Sequence, residues 1–171
     1  MYQYTATISS AILIVIALWL SATVSKQGMK QLQNEYQMFF PSWVFIVAWS
    51  ILYALIFIGT LFIEKNASFQ QPQESTTKTW FQILLITNMV LNALWSVVFF
   101  KFRAFELSLL MIVGMIATII PATIIAKEQC GSFVLWFYVP YLLWLTVAAT
   151  LNMDVIVQKN NSKRIKTATS Q

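Results

Sequence analysis

Five stretches of the chain carry no charged residue and are long enough to cross a membrane. They are Met1–Ser25, Tyr36–Ile63, Thr79–Phe100, Leu107–Ala126 and Gln129–Met153. Each reaches the roughly 20 residues with which a helix crosses about 30 Å of hydrocarbon. Their apolar residues run continuously and do not alternate in the way that membrane-barrel strands do, so the pattern predicts helices.

The expected fold is therefore an all-α membrane protein, a bundle of five transmembrane helices in one domain over residues 1–157. No Lys or Arg precedes Ala11–Leu20, the apolar core of the first stretch, so we interpret this stretch as a span and not as a signal peptide. The expected spans are approximately 6–25, 41–63, 80–100, 105–126 and 133–156, followed by a basic tail over 158–171 that we expect to be disordered.

Composition supports the membrane interpretation. Of the 171 residues, 58% are hydrophobic and only 10% are charged, whereas a soluble domain carries about 25% charged residues. The net charge of +5 lies mostly in the connecting segments and the tail, where it is better explained by membrane topology than by nucleic-acid binding.

The distribution of basic residues predicts the orientation. Loop 26–40, turn 101–103 and the tail lie on one side and carry eight of the 11 Lys and Arg residues, which leaves three for the other side. The positive-inside rule places the eight in the cytoplasm, together with the C-terminus. We expect a bacterial plasma membrane, and the mitochondrial outer membrane remains an alternative.

The residues of ordinary enzyme sites are missing. The chain has no histidine, the commonest metal ligand and general base, and a single cysteine, Cys130. The carboxylates Glu106 and Asp154 lie at the ends of spans and not within them. We therefore predict no metal site and no required cofactor.

Polar and aromatic side chains inside the spans are the candidates for function. They fall on helical faces, with Trp49 and Tyr53 in the second span, Asn88, Asn92 and Trp95 in the third, and Tyr141, Trp144, Ala148 and Asn152 in the fifth. Amides on such a face serve equally well as hydrogen bonds between helices or as ligand contacts, and the residues alone leave both open. Large aromatic rings in a bundle interior suit a flat apolar ligand, but ordinary aromatic packing produces the same pattern.

Three blocks of residues point to a known family. They are Pro41–Phe45 followed by Trp49 and Leu52–Tyr53, Leu91–Trp95 followed by Phe99–Phe100 and Arg103, and Pro140–Trp144 followed by Ala148–Asn152. In this order the sequence resembles the translocator protein family, also called the tryptophan-rich sensory protein or TspO/MBR family. The resemblance covers roughly residues 36–153 and agrees with five spans.

The resemblance implies a five-helix bundle with a pocket that opens toward the loop between spans one and two. It implies binding of porphyrins such as protoporphyrin IX, of sterols and of aromatic synthetic ligands. Segment Lys26–Phe40 would be the lid of that pocket. By position, Trp49 and Trp144 match the family's pocket tryptophans, Asn92 matches its pocket asparagine, and Tyr53, Asn88, Trp95, Ala148 and Asn152 match pocket-side positions.

The chain departs from the family pattern in two places. The lid lacks the usual Lys-Pro, and Pro41 stands alone where a proline pair is usual. After Asn152 comes Met153, without the Tyr and Arg of the animal sterol motif, so tight cholesterol binding is not predicted. The leading hypothesis is a receptor or carrier for tetrapyrroles. The alternatives are light-dependent porphyrin degradation through the paired tryptophans, and a structural or interaction protein. The expected partners are a flat hydrophobic small molecule and the lipid bilayer, while small residues such as Gly114 and Thr118 leave a homodimer open.

Overall fold

The computed structural model describes residues 5–37, 41–66 and 72–169, and in these ranges the chain is helical without a strand. A π-helical segment, Val97–Lys101, continues the third helix, and a short 3₁₀ turn, Ser132–Val134, precedes the fifth. The five helices are α1 Thr5–Glu35, α2 Ser42–Asn66, α3 Pro72–Ser96, α4 Phe105–Cys130 and α5 Leu135–Thr169.

Within the described ranges, four helical segments are long and apolar enough to cross a membrane. They are Trp43–Asn66, Thr76–Lys101, Phe105–Cys130 and Ser132–Thr169. Only 28% of the apolar window in α4 is buried inside the protein, so most of its hydrophobic side chains face outward. A soluble protein would not expose so much apolar surface, which makes this a multi-pass integral membrane protein. The remaining helix, α1, is 31 residues long.

The helices pack in a closed ring. In order around the bundle, α1 contacts α3, α3 contacts α4, α4 contacts α5, α5 contacts α2, and α2 returns to α1. The contact between α3 and α4 agrees with the antiparallel pairing expected from the short turn between them. Side chains from all five helices therefore contribute to one interior.

The π-helical segment directs two adjacent rings into that interior. The Phe102 N–H bonds the Val97 carbonyl at 3.1 Å, which widens the last turn of the helix. Phe99 and Phe100 are both buried there, in edge-to-face contact with ring centroids 5.0 Å apart. Arg103 follows with a φ of 52°, a left-handed conformation that ends the helix and turns the chain into α4.

Two glycines allow close approach between helices. A Cβ at Gly28 would lie 2.8 Å from the Cβ of Phe100, and a Cβ at Gly59 would lie 2.6 Å from the Cβ of Phe137. Neither partner atom can rotate away, because each Cβ is bonded directly to the backbone. The packing of α1 on α3 and of α2 on α5 therefore depends on these glycines.

The small residues of α4 face α3 of the same chain. A Cβ at Gly114 would lie 3.2 Å from the Leu91 side chain, and the Thr118 hydroxyl accepts a hydrogen bond from Asn88. Gly114 and Thr118 therefore make contacts between helices of one chain. A homodimer stays a prediction, and no helix face is assigned to it.

The basic tail differs from its expected disorder, since α5 continues as a helix to Thr169. Extending an existing helix costs far less than starting one, and Lys163 and Lys166 lie near its C-terminal end, where positive charge is favourable. The Thr169 hydroxyl also donates to the Ile165 carbonyl at 2.7 Å. Residues 170 and 171 lie outside the described part of the chain.

Candidate ligand-binding site

A chain of buried hydrogen bonds crosses the middle of the bundle. The Tyr53 hydroxyl of α2 donates to the amide oxygen of Asn92 on α3. The Asn92 Nδ2 donates to the Tyr141 hydroxyl of α5 at 3.0 Å, and that hydroxyl donates to the Asn88 Oδ1 at 2.8 Å. All four side chains are at least 97% buried.

The chain of hydrogen bonds ends on α4. The Asn88 Nδ2 donates to the Met115 carbonyl at 2.7 Å and to the Thr118 Oγ1 at 2.9 Å. The amide oxygen and nitrogen of both Asn88 and Asn92 therefore have partners inside the protein. In this arrangement the two amides join four helices, and their contact with a ligand stays a prediction.

Asn152 is also engaged in a helix contact. Its amide lies against α4, with 2.6 Å between an amide atom and the Ser108 Oγ. The amide is fully satisfied when its oxygen accepts from Ser108 and from the Leu109 N–H at 3.2 Å, while its nitrogen donates to the Phe105 carbonyl at 3.0 Å. This contact fastens α5 to the start of α4.

An aromatic cluster surrounds Trp49, which lies half-buried on α2. Its ring stacks on Tyr53 with centroids 5.4 Å apart. It also meets Trp95 at 6.1 Å, Tyr141 at 6.2 Å and Trp144 at 6.4 Å, the last at nearly a right angle. These separations are typical of favourable aromatic pairs. The structure thus brings together the tryptophans that the sequence had assigned to one pocket.

An aromatic column leads from this cluster to the loop after α1. Trp95 stacks on Phe99 at 5.1 Å, and Phe99 contacts Phe105 at 5.3 Å. Tyr36 meets Phe105 edge-on at 6.0 Å. Rings in direct contact therefore join the loop between α1 and α2 to the bundle interior.

Beside the aromatic cluster the described residues leave little free space. A cavity of about 10 Å³ lies beside Trp95, room for about one water molecule. Pockets for small molecules usually enclose about 300–1,000 Å³, so a ligand must displace side chains to enter here. The cavity is lined by Phe45, Trp95, Phe99, Phe100, Ala148, Leu151 and Asn152.

Arg103 joins α1 to the turn before α4. Its guanidinium donates to both oxygens of Glu35, each at 2.9 Å, and to the Gln31 Oε1 at 3.5 Å. The left-handed backbone of Arg103 aims the side chain at α1. Both bonds to Glu35 come from one guanidinium nitrogen, and this ion pair links the end of α1 to the α3–α4 turn.

Gln158 joins the loop after α1 to α5. Its side-chain oxygen accepts from the Gln37 N–H at 2.9 Å, and its side-chain nitrogen donates to the Gln37 carbonyl at 3.1 Å and to the Asp154 Oδ2 at 2.8 Å. Beside this junction lies an open polar cleft of about 610 Å³. We name the contacts of Gln158 with Gln37 and of Arg103 with Glu35 the loop latch.

The segment expected to form a lid is helical over much of its length. Of Lys26–Phe40, residues up to Glu35 belong to α1, and the loop latch holds Gln37. Residues 38–40 and the Lys26 side chain lie outside what the structure describes.

A TspO/MBR family model matches residues 7–158. The chain belongs to the TspO/MBR family. The matched region runs from α1 into α5 and includes every residue of the aromatic cluster and of the hydrogen-bond chain.

Named relatives resemble the chain over about two thirds of its length. The tryptophan-rich protein TspO of Archaeoglobus fulgidus is 34% identical over 116 residues, which are 67% of this chain and 69% of that protein. Protein CrtK of Rhodobacter capsulatus is 28% identical over 115 residues, or 67% of this chain and 68% of its own. A tryptophan-rich sensory protein of Cereibacter sphaeroides is 27% identical over 116 residues, which are 68% of this chain and 67% of that protein.

Sequence reasoning on this TspO/MBR family member missed several residues around the cavity and the loop. Phe45 lies four residues before Trp49 and therefore on its helical face, a spacing that could have identified it. Gln158 and Thr118 carry no such signal, because their partners Gln37 and Asn88 lie on other helices or loops.

Proposed function

We propose that this TspO/MBR family member is a membrane receptor or carrier that binds a tetrapyrrole such as protoporphyrin IX at the aromatic cluster around Trp49. Three tryptophans and two tyrosines meet there with ring centroids at most 6.4 Å from that of Trp49. Flat rings offer the stacking surface that a planar apolar macrocycle requires. Family membership adds independent support for a tetrapyrrole-related role.

The cavity beside Trp95 is too small for a macrocycle, so binding there requires an opening step. The hydrogen-bond chain through Asn88 and Asn92 joins four helices, so it is an unfavourable place to open the bundle. Trp49 and Trp144 are only half-buried and lie outside that chain, which makes them the side chains whose displacement costs least. In this proposal the ligand stacks on these two rings, and the hydrogen-bond chain through Asn88 and Asn92 stays intact.

The test is a titration of purified protein in detergent with protoporphyrin IX, followed by quenching of tryptophan fluorescence. A Trp49→Phe/Trp144→Phe variant should bind at least about tenfold more weakly, since each aromatic contact contributes roughly 0.5–1.5 kcal/mol. Trp80→Phe/Trp136→Phe is the matched control, because both of these indoles are exposed. Linear quenching that is identical in all three proteins would indicate partition into micelles and would contradict the proposal.

A second candidate is light-dependent oxidation of the bound porphyrin, in which dissolved dioxygen is the terminal electron acceptor and Trp49 and Trp144 relay electrons. The direct contact of Trp49 with Trp95, Tyr53 and Trp144 favours it, because a radical formed on one ring has neighbouring redox-active rings. A new product spectrum under illumination that disappears in the double variant would support it.

The third candidate is a structural or interaction protein whose aromatic interior is only packing. The satisfied hydrogen-bond chain and the small cavity favour it. A ligand that binds only the native state must raise the melting temperature. If neither protoporphyrin IX nor another planar compound does so, this candidate is preferred.

For the topology we propose that α1 crosses the membrane in addition to the four segments named above, which makes five spans. We also propose that the C-terminus lies in the cytoplasm. The uncharged segment over residues 1–25 supports the fifth span. The excess of Lys and Arg on the side of the bundle that holds the C-terminal tail supports the orientation.

A further inference from the structure

The last part of α5 is longer than a membrane span requires. The helix begins at Leu135, and its first charged residue, Asp154, comes 19 residues later. At 1.5 Å per residue this stretch covers about 28 Å, close to the roughly 30 Å of hydrocarbon that a span must cross. The helix then continues to Thr169, which is about 22 Å farther along its axis. We name residues 158–169 the α5 extension.

The α5 extension carries positive charge without matching negative charge. It has no Asp or Glu, and its basic residues are Lys159, Lys163, Arg164 and Lys166. Lys159 is engaged at the start of α4, where its Nζ lies 3.1 Å from the Glu106 Oε1 and 5.2 Å from the centroid of the Phe105 ring. The other three are exposed and form no ion pair with a described residue, although Lys163 attracts Glu106 at longer range.

The spacing of these charges favours an anionic surface beside the helix. Lys159, Lys163 and Lys166 follow at i, i+4 and i+7, so they share one face, and like charges at this spacing repel each other. Negative charge along that face would replace the repulsion by attraction. The family match ends at residue 158, so it does not account for the basic residues of the extension.

The direction of the helix turns these charges back toward the bilayer. Long side chains of an α-helix lean toward its N-terminus and cover the preceding turn, about 5.4 Å back. For the α5 extension that direction is the membrane, on whichever side the C-terminus lies. Lys163 and Arg164 follow Asp154 by nine and ten residues, so their Cα atoms lie about 14–15 Å past the hydrocarbon and their charges at about 8–10 Å. The headgroup layer is about 5–8 Å thick, which puts both charges within a few Å of its outer edge.

We propose that the α5 extension binds the anionic headgroups of the surrounding bilayer, chiefly through Lys163 and Arg164, and so gathers acidic phospholipids at this end of the bundle. The remaining distance is shorter than the Debye length of about 8 Å, so salt does not screen the attraction fully. A soluble acidic partner fits less well, because the basic side chains lean toward the membrane and away from the free end of the helix. Gln158, the first residue of the extension, holds Gln37, so the bound lipids lie beside the loop latch.

The test measures which lipids the full-length protein retains from a mixed bilayer. The protein is placed in nanodiscs of equal parts palmitoyl-oleoyl phosphatidylglycerol and phosphatidylcholine and is released in a native mass spectrometer, and the ratio of the two lipids that stay bound is determined. Phosphatidylglycerol should be in excess on the unmodified protein. Lys163→Gln/Arg164→Gln should lower the ratio by at least about fivefold, because each basic residue near an anionic surface contributes roughly that factor.

Two control variants separate the position of the charge from its amount. Lys65→Gln/Lys127→Gln removes the same charge from the opposite end of the bundle, and Lys163→Arg/Arg164→Lys keeps the charge of the extension. Both should retain phosphatidylglycerol like the unmodified protein. All four positions are exposed, so each variant should fold, and thermal unfolding in detergent checks this.

Two single variants test the direction that the helix gives to the charges. Lys166 lies three residues beyond Lys163 and is therefore about 4.5 Å farther from the bilayer. Lys163→Gln should lower the lipid ratio more than Lys166→Gln does. Equal effects would mean that the charges act as a loose cloud, as in a disordered tail, and would overturn the inference that the helix directs them.

The remaining outcomes are decisive as well. A lipid ratio on the unmodified protein equal to that of the nanodisc would overturn the inference and would leave the extension to a soluble acidic partner. A ratio that is the same in the unmodified protein and in Lys163→Gln/Arg164→Gln would also overturn it, since the preference would then come from elsewhere on the bundle. The inference does not depend on the tetrapyrrole, and the porphyrin titration is unaffected by either result.

Discussion

At the scale of single residues, the Tyr141 hydroxyl links the two buried asparagines of α3. Its one hydroxyl accepts from Asn92 and donates to Asn88, so it closes the hydrogen-bond chain between α3 and α5. The low dielectric around such a chain strengthens each bond and raises the cost of losing one.

Tyr141→Phe should destabilise the protein by about 1–3 kcal/mol, because it leaves two buried amide groups without partners. Thermal unfolding in detergent measures the loss. Tyr138→Phe is the matched control: Tyr138 is also fully buried, but its partner Thr60 keeps a second bond to the Ile56 carbonyl. Equal losses in the two variants would contradict the importance assigned to the chain.

At the scale of helices, close contact between elements depends on where a Cβ has room. Gly59 and Gly114 both lie at helix contacts, but Gly59 faces a Cβ of Phe137 at 2.6 Å, whereas Gly114 faces the flexible end of Leu91 at 3.2 Å. The same substitution should therefore have different effects at the two positions.

Gly59→Ala should destabilise the fold by about 1–3 kcal/mol, since α2 and α5 must separate to relieve the clash. Gly114→Ala should be close to neutral, because better helix propensity offsets a small shift of Leu91. Melting temperatures of the two variants provide the comparison. If Gly114→Ala is the more damaging one, the helix contacts described here are wrong.

We expect the loop latch to affect local opening of the loop more than the stability of the whole bundle. Arg103 and Glu35 are partly exposed, and exposed ion pairs contribute at most about 1 kcal/mol. Gln158, by contrast, pairs with both backbone groups of Gln37.

Gln158→Ala should accelerate amide exchange at Gln37 by about fivefold or more, since losing about 1 kcal/mol of hydrogen bonding changes an opening equilibrium by that factor. Under the proposed function it should also speed ligand release. Native-state hydrogen exchange is the measurement, and Asn160→Ala, exposed on the same segment of α5, is the control. Unchanged exchange at Gln37 would show that the loop is held by other contacts.

At the scale of the whole molecule, a closed ring of five helices surrounds one interior, and its placement in the membrane sets the side from which ligand and loop latch are reached. The sole cysteine of the chain, Cys130, lies at the end of α4 opposite the basic tail. It therefore serves as a natural reporter of orientation.

An impermeant maleimide should label Cys130 in intact cells, because the proposed topology places this turn outside. In a Cys130→Ser background, Ser162→Cys on the α5 extension should be labelled only after the cells are permeabilised. The reverse pattern would invert the orientation and leave the fold unaffected.

The helices, the membrane class and the family can all be predicted from the amino-acid sequence. Uncharged length is a local property, and helical spacing already placed Asn88, Asn92 and Trp95 on one face. The assignment of Trp49 and Trp144 to one pocket came from the family resemblance and not from helical spacing.

The contacts that those helical faces make cannot be predicted in this way, because they depend on the packing of all the helices. Whether an asparagine bonds a ligand or a neighbouring helix depends on which groups the other helices present, and here Tyr53, Tyr141 and the α4 backbone use the amides. The same argument applies to the loop latch, whose two halves are 121 residues apart at Gln37 and Gln158.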